Sequence, residues 1–319
     1  MSITTTSNLG PLINQSVAPF MLYVPTPMMN FMTIADHVAM PPNGGTTMMF
    51  AQPVALQPPT IQLGNTGIDP PAQIPQRNVI TAQMAVYGTG CLINEQVIMQ
   101  NIEGVLAWVG ERLAVSMRQA EDLILRDFII SAASLVKAAG YNNGDSPGGL
   151  GVSDFSFANA ILDTNNALKF TTGIMGEDRF GTVPIRASYL MLASTELEPD
   201  FDSLTGSGFI NSWAYPNGNN AASPAEYGNV YNIRILTSSQ APVARKASVN
   251  GRDVYYNVIS GKQGVTHISQ DGASMNLIYR DALFSGMLAQ NVTLAVKFWQ
   301  SQALTQPTAI LKLACTRQS

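Results

Sequence analysis

The sequence predicts an α+β fold. A single long stretch, Ile102–Ala139, carries helical periodicity, and short strand-like runs lie on both sides of it. Helices and strands do not alternate in the regular order that a doubly wound parallel sheet requires. No internal repeat breaks the 319 residues into equivalent units, and this length corresponds to about two domains.

Composition narrows the function before any motif is read. Apolar residues make up 46% of the chain, enough for a real core, yet charged residues make up 12%. That is about half the usual share for a soluble domain. Partner subunits are the simplest cover for so poorly charged a surface, because obligate interfaces are depleted in charge. The formal net charge is −4 and no Lys/Arg run occurs, which argues against a grip on nucleic acid through its phosphates.

From the N-terminus, residues 1–43 contain one acidic residue, Asp36, and no Lys or Arg. They read as an extended arm with a short helix near Met28–Val38, an apolar arm that must lie on a partner or on its own core. Val17–Ala35 is apolar but broken by Pro19, Pro25, Pro27 and Asn30, so no membrane-spanning helix is expected. The start also lacks the basic segment of a secretory signal.

Gly44–Gly90 contains two charged residues, Asp69 and Arg77. Met48, Phe50, Val54 and Leu56 share one parity over Thr46–Leu56, and Ile80, Ala82, Met84 and Val86 repeat at period two. Between them lies LQPPTIQLGNTGIDPPAQIPQ, with five prolines. This predicts a long two-stranded arm with an irregular tip. A two-stranded hairpin is marginal in water, and its apolar face needs another surface.

The helix follows. Leu106, Val109, Leu113, Met117, Ala120, Ile124 and Phe128 recur at three or four residues, with Glu111, Arg112, Arg118, Glu121 and Asp122 mostly off that stripe. Asn101 is the expected N-cap and Gly140 the stop. After a Gly-rich break at Tyr141–Gly151, Asp154–Phe170 reads as a helix and Ser203–Ala225 as a long polar loop. Ala187–Ala193, Val230–Thr237, Val254–Ile259, Met275–Tyr279, Val292–Phe298 and Ala309–Leu313 read as strands.

Chemistry-bearing motifs are sparse. GDSPGG at Gly144–Gly149 resembles the nucleophile loop of trypsin-like proteases with an inserted proline, but Ser146 lacks a recognisable base and a flexible turn is the better reading. Glu196, Glu198, Asp200 and Asp202 read as a solvated acidic turn, with a divalent cation at a subunit contact as the alternative. The two histidines, His37 and His267, have no ligand partner at metal-binding spacing, and Cys91 and Cys315 read as free buried thiols. No nucleotide-cradling glycine motif occurs. No catalytic residue, cofactor or metal is therefore expected, and a structural or assembly protein is favoured over an enzyme.

The order of features resembles the major capsid proteins of tailed bacteriophages with the Hong Kong 97 fold, and in particular the capsid family typified by coliphage N-four. The likeness rests on Gly44-Gly45-Thr46, on Thr60, Leu63, Gly67 and Pro70 in the loop, on Ile80–Tyr87-Gly88, and on the long helix directly after. It continues in a Glu-x-Gly-x-x-x-x-Ile-Arg pattern at Glu226–Arg234 and in the closing runs Val292–Trp299 and Ala309–Leu313. It covers roughly residues 40–315. Ala51-Gln52 replaces basic residues common in the family, and Asn94-Glu95 shifts an acidic one.

The resemblance implies an N-terminal arm (1–43), an extended hairpin loop (44–90), a peripheral domain on the spine helix (91–145 with 290–319) and an axial domain (146–289). It implies self-assembly into hexamers and pentamers of an icosahedral head that encloses double-stranded DNA, in a virion assembled in the host bacterial cytoplasm. Portal, scaffolding or decoration proteins would be partners, and no membrane is involved. An encapsulin-like protein nanocompartment is the alternative on the same fold. The expected intersubunit contacts are Met48, Phe50, Val54, Ile61, Leu63, Arg77, Met84 and Tyr87. Some relatives cross-link this loop to a neighbour through a Lys–Asn bond. The first lysine here is Lys137, so the contact is expected to be non-covalent.

Overall fold

A computed structural model describes residues 26–41, 44–58, 73–95, 98, 105–138, 147–170, 187–204, 208–214, 225–248, 251–270, 276–281 and 290–317. The first strands are β1 (Asp36–Met40), β2 (Thr47–Pro53), β3 (Arg77–Gln83) and β4 (Ala85–Asn94), followed by helix α1 (Val105–Ala132) and β5 (Ser134–Lys137). Next come α2 (Val152–Thr164), β6 (Tyr189–Ser194), α3 (Glu198–Ser203), β7 (Phe209–Asn211), β8 (Glu226–Val230), β9 (Ile233–Ser238) and β10 (Val243–Ala244). The chain closes with β11 (Val254–Ser260), β12 (Val265–Gln270), β13 (Asn276–Arg280), β14 (Asn291–Leu304) and β15 (Ile310–Thr316).

Helix α1 is the spine. Its 28 residues span about 42 Å at the usual rise per residue. The N-terminal half lays Val109, Leu113 and Met117 on Ile93, Leu294, Val296 and Phe298 of β4 and β14. The C-terminal half lays Leu125 and Ile129 on Leu190, Leu192, Val258 and Ile310. One amphipathic stripe thus serves two sheets.

The first of these sheets has five strands. β14, 14 residues long, pairs antiparallel with β4 along one edge and with β13 and β12 along the other. β1 extends the sheet by parallel pairing with β12. The second sheet has eight strands in the order β5-β15-β11-β6-β9-β8-β7, with β10 added on β11. Its central strands β6 and β9 are buried along their whole length. The physical reason is that α2 (Phe155, Ala158, Leu162) covers one face, while α1 and the turn Phe31–Ile34 cover part of the other.

Several expectations are corrected. The spine helix ends at Ala132, not at Ala139, and Ser134–Lys137 pairs in parallel with β15. Packing wins over helical propensity there, since Val136 enters the core of the eight-stranded sheet. Lys312 of β15 donates its ammonium to the Ile130 carbonyl at 2.8 Å and so satisfies the helix end. The short helix expected near Met28–Val38 is a 3-10 turn at Phe31–Ile34 followed by β1. Asp122, read as an off-stripe charge, is 1% exposed and accepts the Met32 backbone N–H at 3.1 Å. Helix α2 stops at Thr164, and Leu168 and Phe170 form bridges to Lys262 and Ser188. The polar loop Ser203–Ala225 contains β7. Asn101, Gly140, Ser146, Ile61 and Leu63 lie outside the described residues.

The sheets also group strands across residue 290, where the sequence division was drawn. β12 and β13 lie with β14 in the five-stranded sheet, and β15 lies in the eight-stranded one.

Candidate intersubunit surface

The hairpin forms in the register its alternation demands, with Thr47 opposite Gln83 through Pro53 opposite Arg77. Strand parity divides its side chains between two faces. The inner face carries Met48, Phe50, Ile80 and Ala82, which pack with Met84 against Met40, Ile268 and Ala303 of the five-stranded sheet. Of the expected contact residues, Met48, Phe50 and Met84 are therefore half-buried against their own chain. The sequence identified an apolar face that needs a surface; this chain supplies part of that surface itself.

The outer face is where apolar groups remain open. Met49 is 68% exposed and Val79 52%. Past the strands, Val54, Leu56 and Ile74 are exposed as well, Ile74 at 82%. The chain stays paired there, because the Val54 N–H donates to the Gln76 carbonyl at 2.9 Å. The Gln57 N–H donates to Gln73 Oε1 at 2.8 Å, and Gln73 Nε2 donates back to the Gln57 carbonyl at 2.9 Å. Arg77 is exposed at the start of β3. Tyr87 stacks on Phe298 with ring centroids 5.5 Å apart and keeps an exposed edge.

The Tyr-Gly step has a packing reason. A Cβ at Gly90 would lie 2.9 Å from the Ala295 Cβ, and one at Gly88 would lie 3.1 Å from the Val296 carbonyl oxygen. Small residues let β4 and β14 stay in register over ten pairs, from Gln300–Ala85 to Asn291–Asn94. Leu92, on the same strand, is exposed.

A second apolar patch escaped the sequence reading. Ile210, Trp213 and Tyr231 are exposed around the β7 edge, Trp213 at 80%. Its only signal in the sequence was a tryptophan in an otherwise Gly/Asn-rich loop.

The Glu-x-Gly-x-x-x-x-Ile-Arg pattern resolves into one structural unit. Arg234 Nη1 donates to both Glu226 carboxylate oxygens, at 3.0 and 3.1 Å, and both side chains are almost fully buried. Gly228 sits under Phe209, whose ring carbon would lie 2.4 Å from an added Cβ. Ile233 enters the core of the eight-stranded sheet.

The acidic turn is divided among different partners. Glu196 accepts from Arg245 Nη2 at 2.7 Å and from the Tyr255 hydroxyl at 2.6 Å, which holds its carboxyl below the usual range. Asp202 accepts from the Tyr227 hydroxyl at 2.7 Å. Arg245 also reaches Asp253 at 2.6 Å, on the rim of an open cavity of about 640 Å³ lined by Arg252 and Arg317. Among the described residues, no group of three or more His, Cys, Asp or Glu side chains is placed to hold a metal. Cys315 is buried, receives Asn257 Nδ2 at 3.2 Å, and has its thiol pushed up to about 12 by burial. His37 and His267, unrelated in the sequence, meet across β1 and β12.

No family model matches the sequence, and no curated protein matches it. Solved structures do. The chain is similar to the capsid of Ralstonia phage GP4, at 10% identity and a TM-score of 0.71, covering 100% of this chain and 99% of that one. It is similar to the capsid of cyanophage P-SCSP1u, at 12% identity and a TM-score of 0.65, covering 97% and 95%. It is also similar to the head of Helicobacter pylori bacteriophage KHP40, at 12% identity and a TM-score of 0.63, covering 100% and 98%. Over the full length of spine helix, two sheets and hairpin, the chain has the fold of these phage capsid and head proteins.

Proposed function

We propose that the chain is a phage major capsid protein of the Hong Kong 97 type, built to assemble into the hexamers and pentamers of an icosahedral head around double-stranded DNA. The observation that carries this reading is the end-to-end match to phage capsid chains, with coverage above nine-tenths in both directions. The hairpin gives it a mechanism. Its inner face is anchored on its own sheet while Met49, Val79, Val54, Leu56 and Ile74 stay open. Identical copies close a ring through heterologous contacts, in which one surface meets a different surface of the next copy. The outer face of the hairpin is one half of such a contact.

On this reading, Val54, Arg77 and Tyr87 contact the neighbour as expected. Met48, Phe50 and Met84 act mainly by setting the angle of the hairpin. The division into arm, hairpin, peripheral and axial regions belongs to the same proposal, redrawn so that β12 and β13 go with the peripheral sheet and β5 and β15 with the axial one. The few Lys and Arg residues suit a lining along which DNA slides, because a strongly basic lining would hold DNA by counterion release. Portal, scaffolding or decoration partners and assembly in the host cytoplasm belong to the same proposal, and membership of the N-four family is its finest grain.

Electron microscopy of the expressed chain tests this directly, with rings or icosahedral particles as the expected result. The sharper test removes residues 54–76 and joins β2 to β3 through a two-residue Asn-Gly turn, leaving the anchored base intact. The expected product is a folded subunit that no longer assembles. Intact particles from that deletion would overturn the role of the loop, and a stable monomer from the intact chain at high concentration would overturn the capsid reading.

A further inference from the structure

The chain has two histidines, and they lie 230 positions apart. The fold sets them in direct register across the parallel pairing of β1 and β12, with ring centroids 5.5 Å apart in an edge-on arrangement. β1 joins the five-stranded sheet through this pairing, so the two rings sit on the seam that holds the strand down.

The hydrogen bond to Gln300 sets the tautomer of the neutral ring. His267 is 3% exposed, and its Nε2 lies 3.0 Å from Gln300 Oε1. A carbonyl oxygen only accepts, so Nε2 carries the proton and Nδ1 presents a bare lone pair. That Nδ1 is buried and has no hydrogen-bond partner among the described residues. A second proton would have to go there, creating a buried cation whose new N–H has no acceptor among the described residues, beside a second imidazole.

We propose that His37 and His267 form a proton-operated latch, which holds β1 on the five-stranded sheet at neutral pH and loosens it in acid.

Gln300 is the hydrogen-bond partner that favours the charged ring, and the three strands bring no carboxylate to its face. β1 contributes His37 itself, while Asp36 lies on the opposite parity, beside Thr266. β14 contributes Gln300 and Gln302, both neutral, and β12 contributes Thr266 and Ile268 on either side of His267. Burial is the main cause that depresses the His267 pKa, against the opposing pull of the Gln300 hydrogen bond, and repulsion from His37 lowers it further. The sign follows. A depressed imidazole favours the neutral folded form, so docking of β1 is complete above the ordinary value of 6.5 and weakens as pH falls below it. Met40, at the end of β1, packs in the cluster beneath the hairpin base, so loosening β1 also loosens the base.

The latch goes beyond the capsid reading and is tested without it, on the full-length chain by hydrogen–deuterium exchange at pH 7.5 and pH 5, corrected for the intrinsic pH dependence of exchange. The expected result is a roughly tenfold or greater loss of protection in β1 at pH 5, with β6 and β11 keeping theirs. His267→Gln preserves a donor toward Gln300 and should abolish the acid effect. If that variant fails to fold, the exposed His37→Gln serves instead and should diminish it. Unchanged β1 protection in the parent at pH 5 would overturn the latch. So would an equal loss in β6 and β11, or an undiminished acid effect in His37→Gln.

Discussion

Aspartate substitutions on the two faces of the hairpin should have opposite consequences. Met49 and Val79 face outward at 68% and 52% exposed, while Ala82, on the inner face, is 3% exposed in the cluster with Met40, Ile268 and Ala303. Full burial of such a side chain is worth about 1.5–3 kcal/mol. About two-thirds of Met49 and half of Val79 is left for a neighbour to cover, or roughly 2–3 kcal/mol per hairpin, about 30- to 150-fold in each contact. In the proposed closed ring that contact recurs at every subunit, so the loss multiplies. Met49→Asp with Val79→Asp should therefore leave the subunit within about 0.5 kcal/mol of its parent stability and abolish particles in sedimentation velocity and electron microscopy. Ala82→Asp should do the reverse in kind and destabilise the subunit itself, because it buries an unpaired carboxylate. Normal particle yield from the outer-face pair, or an unfolded subunit from it, would refute the division of labour between the faces.

The remaining predictions concern the frame. Arg234→Met strands the Glu226 carboxylate in the core and should cost about 3–5 kcal/mol in denaturant titration. The double variant Glu226→Leu/Arg234→Met should recover much of that loss. Gly228→Ala drives a methyl into the Phe209 ring and should cost about 1–3 kcal/mol by the same measurement. Glu121 is raised to about 7 by burial against the opposing pull of Arg118, so its charged form destabilises the fold as pH rises from 4.5 through 7. Glu121→Gln should raise the thermal midpoint at pH 8 and leave it unchanged at pH 4.

What the sequence shows is local periodicity, and that part of the fold was legible. The stripe Val109, Leu113, Met117 predicts the spine helix because α1 buries one continuous side. The alternation at Met48, Phe50, Ile80 and Ala82 predicts the hairpin for the same reason. Features set by distant pairing were not legible. Ser134–Lys137 continues the helix in sequence and becomes a strand because β15 offers an edge. Asp122 looks like a solvated charge until the Phe31–Ile34 turn lands on it. Nothing in the sequence brings His37 to His267. The direction of the hairpin face was also hidden, since parity tells which residues share a side but not what lies under that side. The acidic turn was read as solvated, and the tyrosines that engage it come from strands up to 59 residues away, with Arg245 in the turn after β10.

In the proposed assembly, the connection between β3 and β4 would let one hairpin meet different neighbours. One residue, Met84, separates the hairpin strand from β4, which is paired for ten residues with β14 and backed by α1. Met84 donates its N–H to the Thr46 carbonyl at 2.8 Å and is half-buried in the cluster at the hairpin base. The rigid sheet therefore ends at one residue, and the hairpin beyond it is held by side-chain packing and by two strands bonded only to each other. Packing contacts at Met48, Phe50 and Met84 give over an angle more readily than ladder hydrogen bonds, because they are non-directional. Methionine, unbranched and adaptable, is the residue type suited to such a pivot. The outer apolar face can then swing as a unit while the sheet and helix keep their geometry, as the proposed rings of five and six made from one sequence would require.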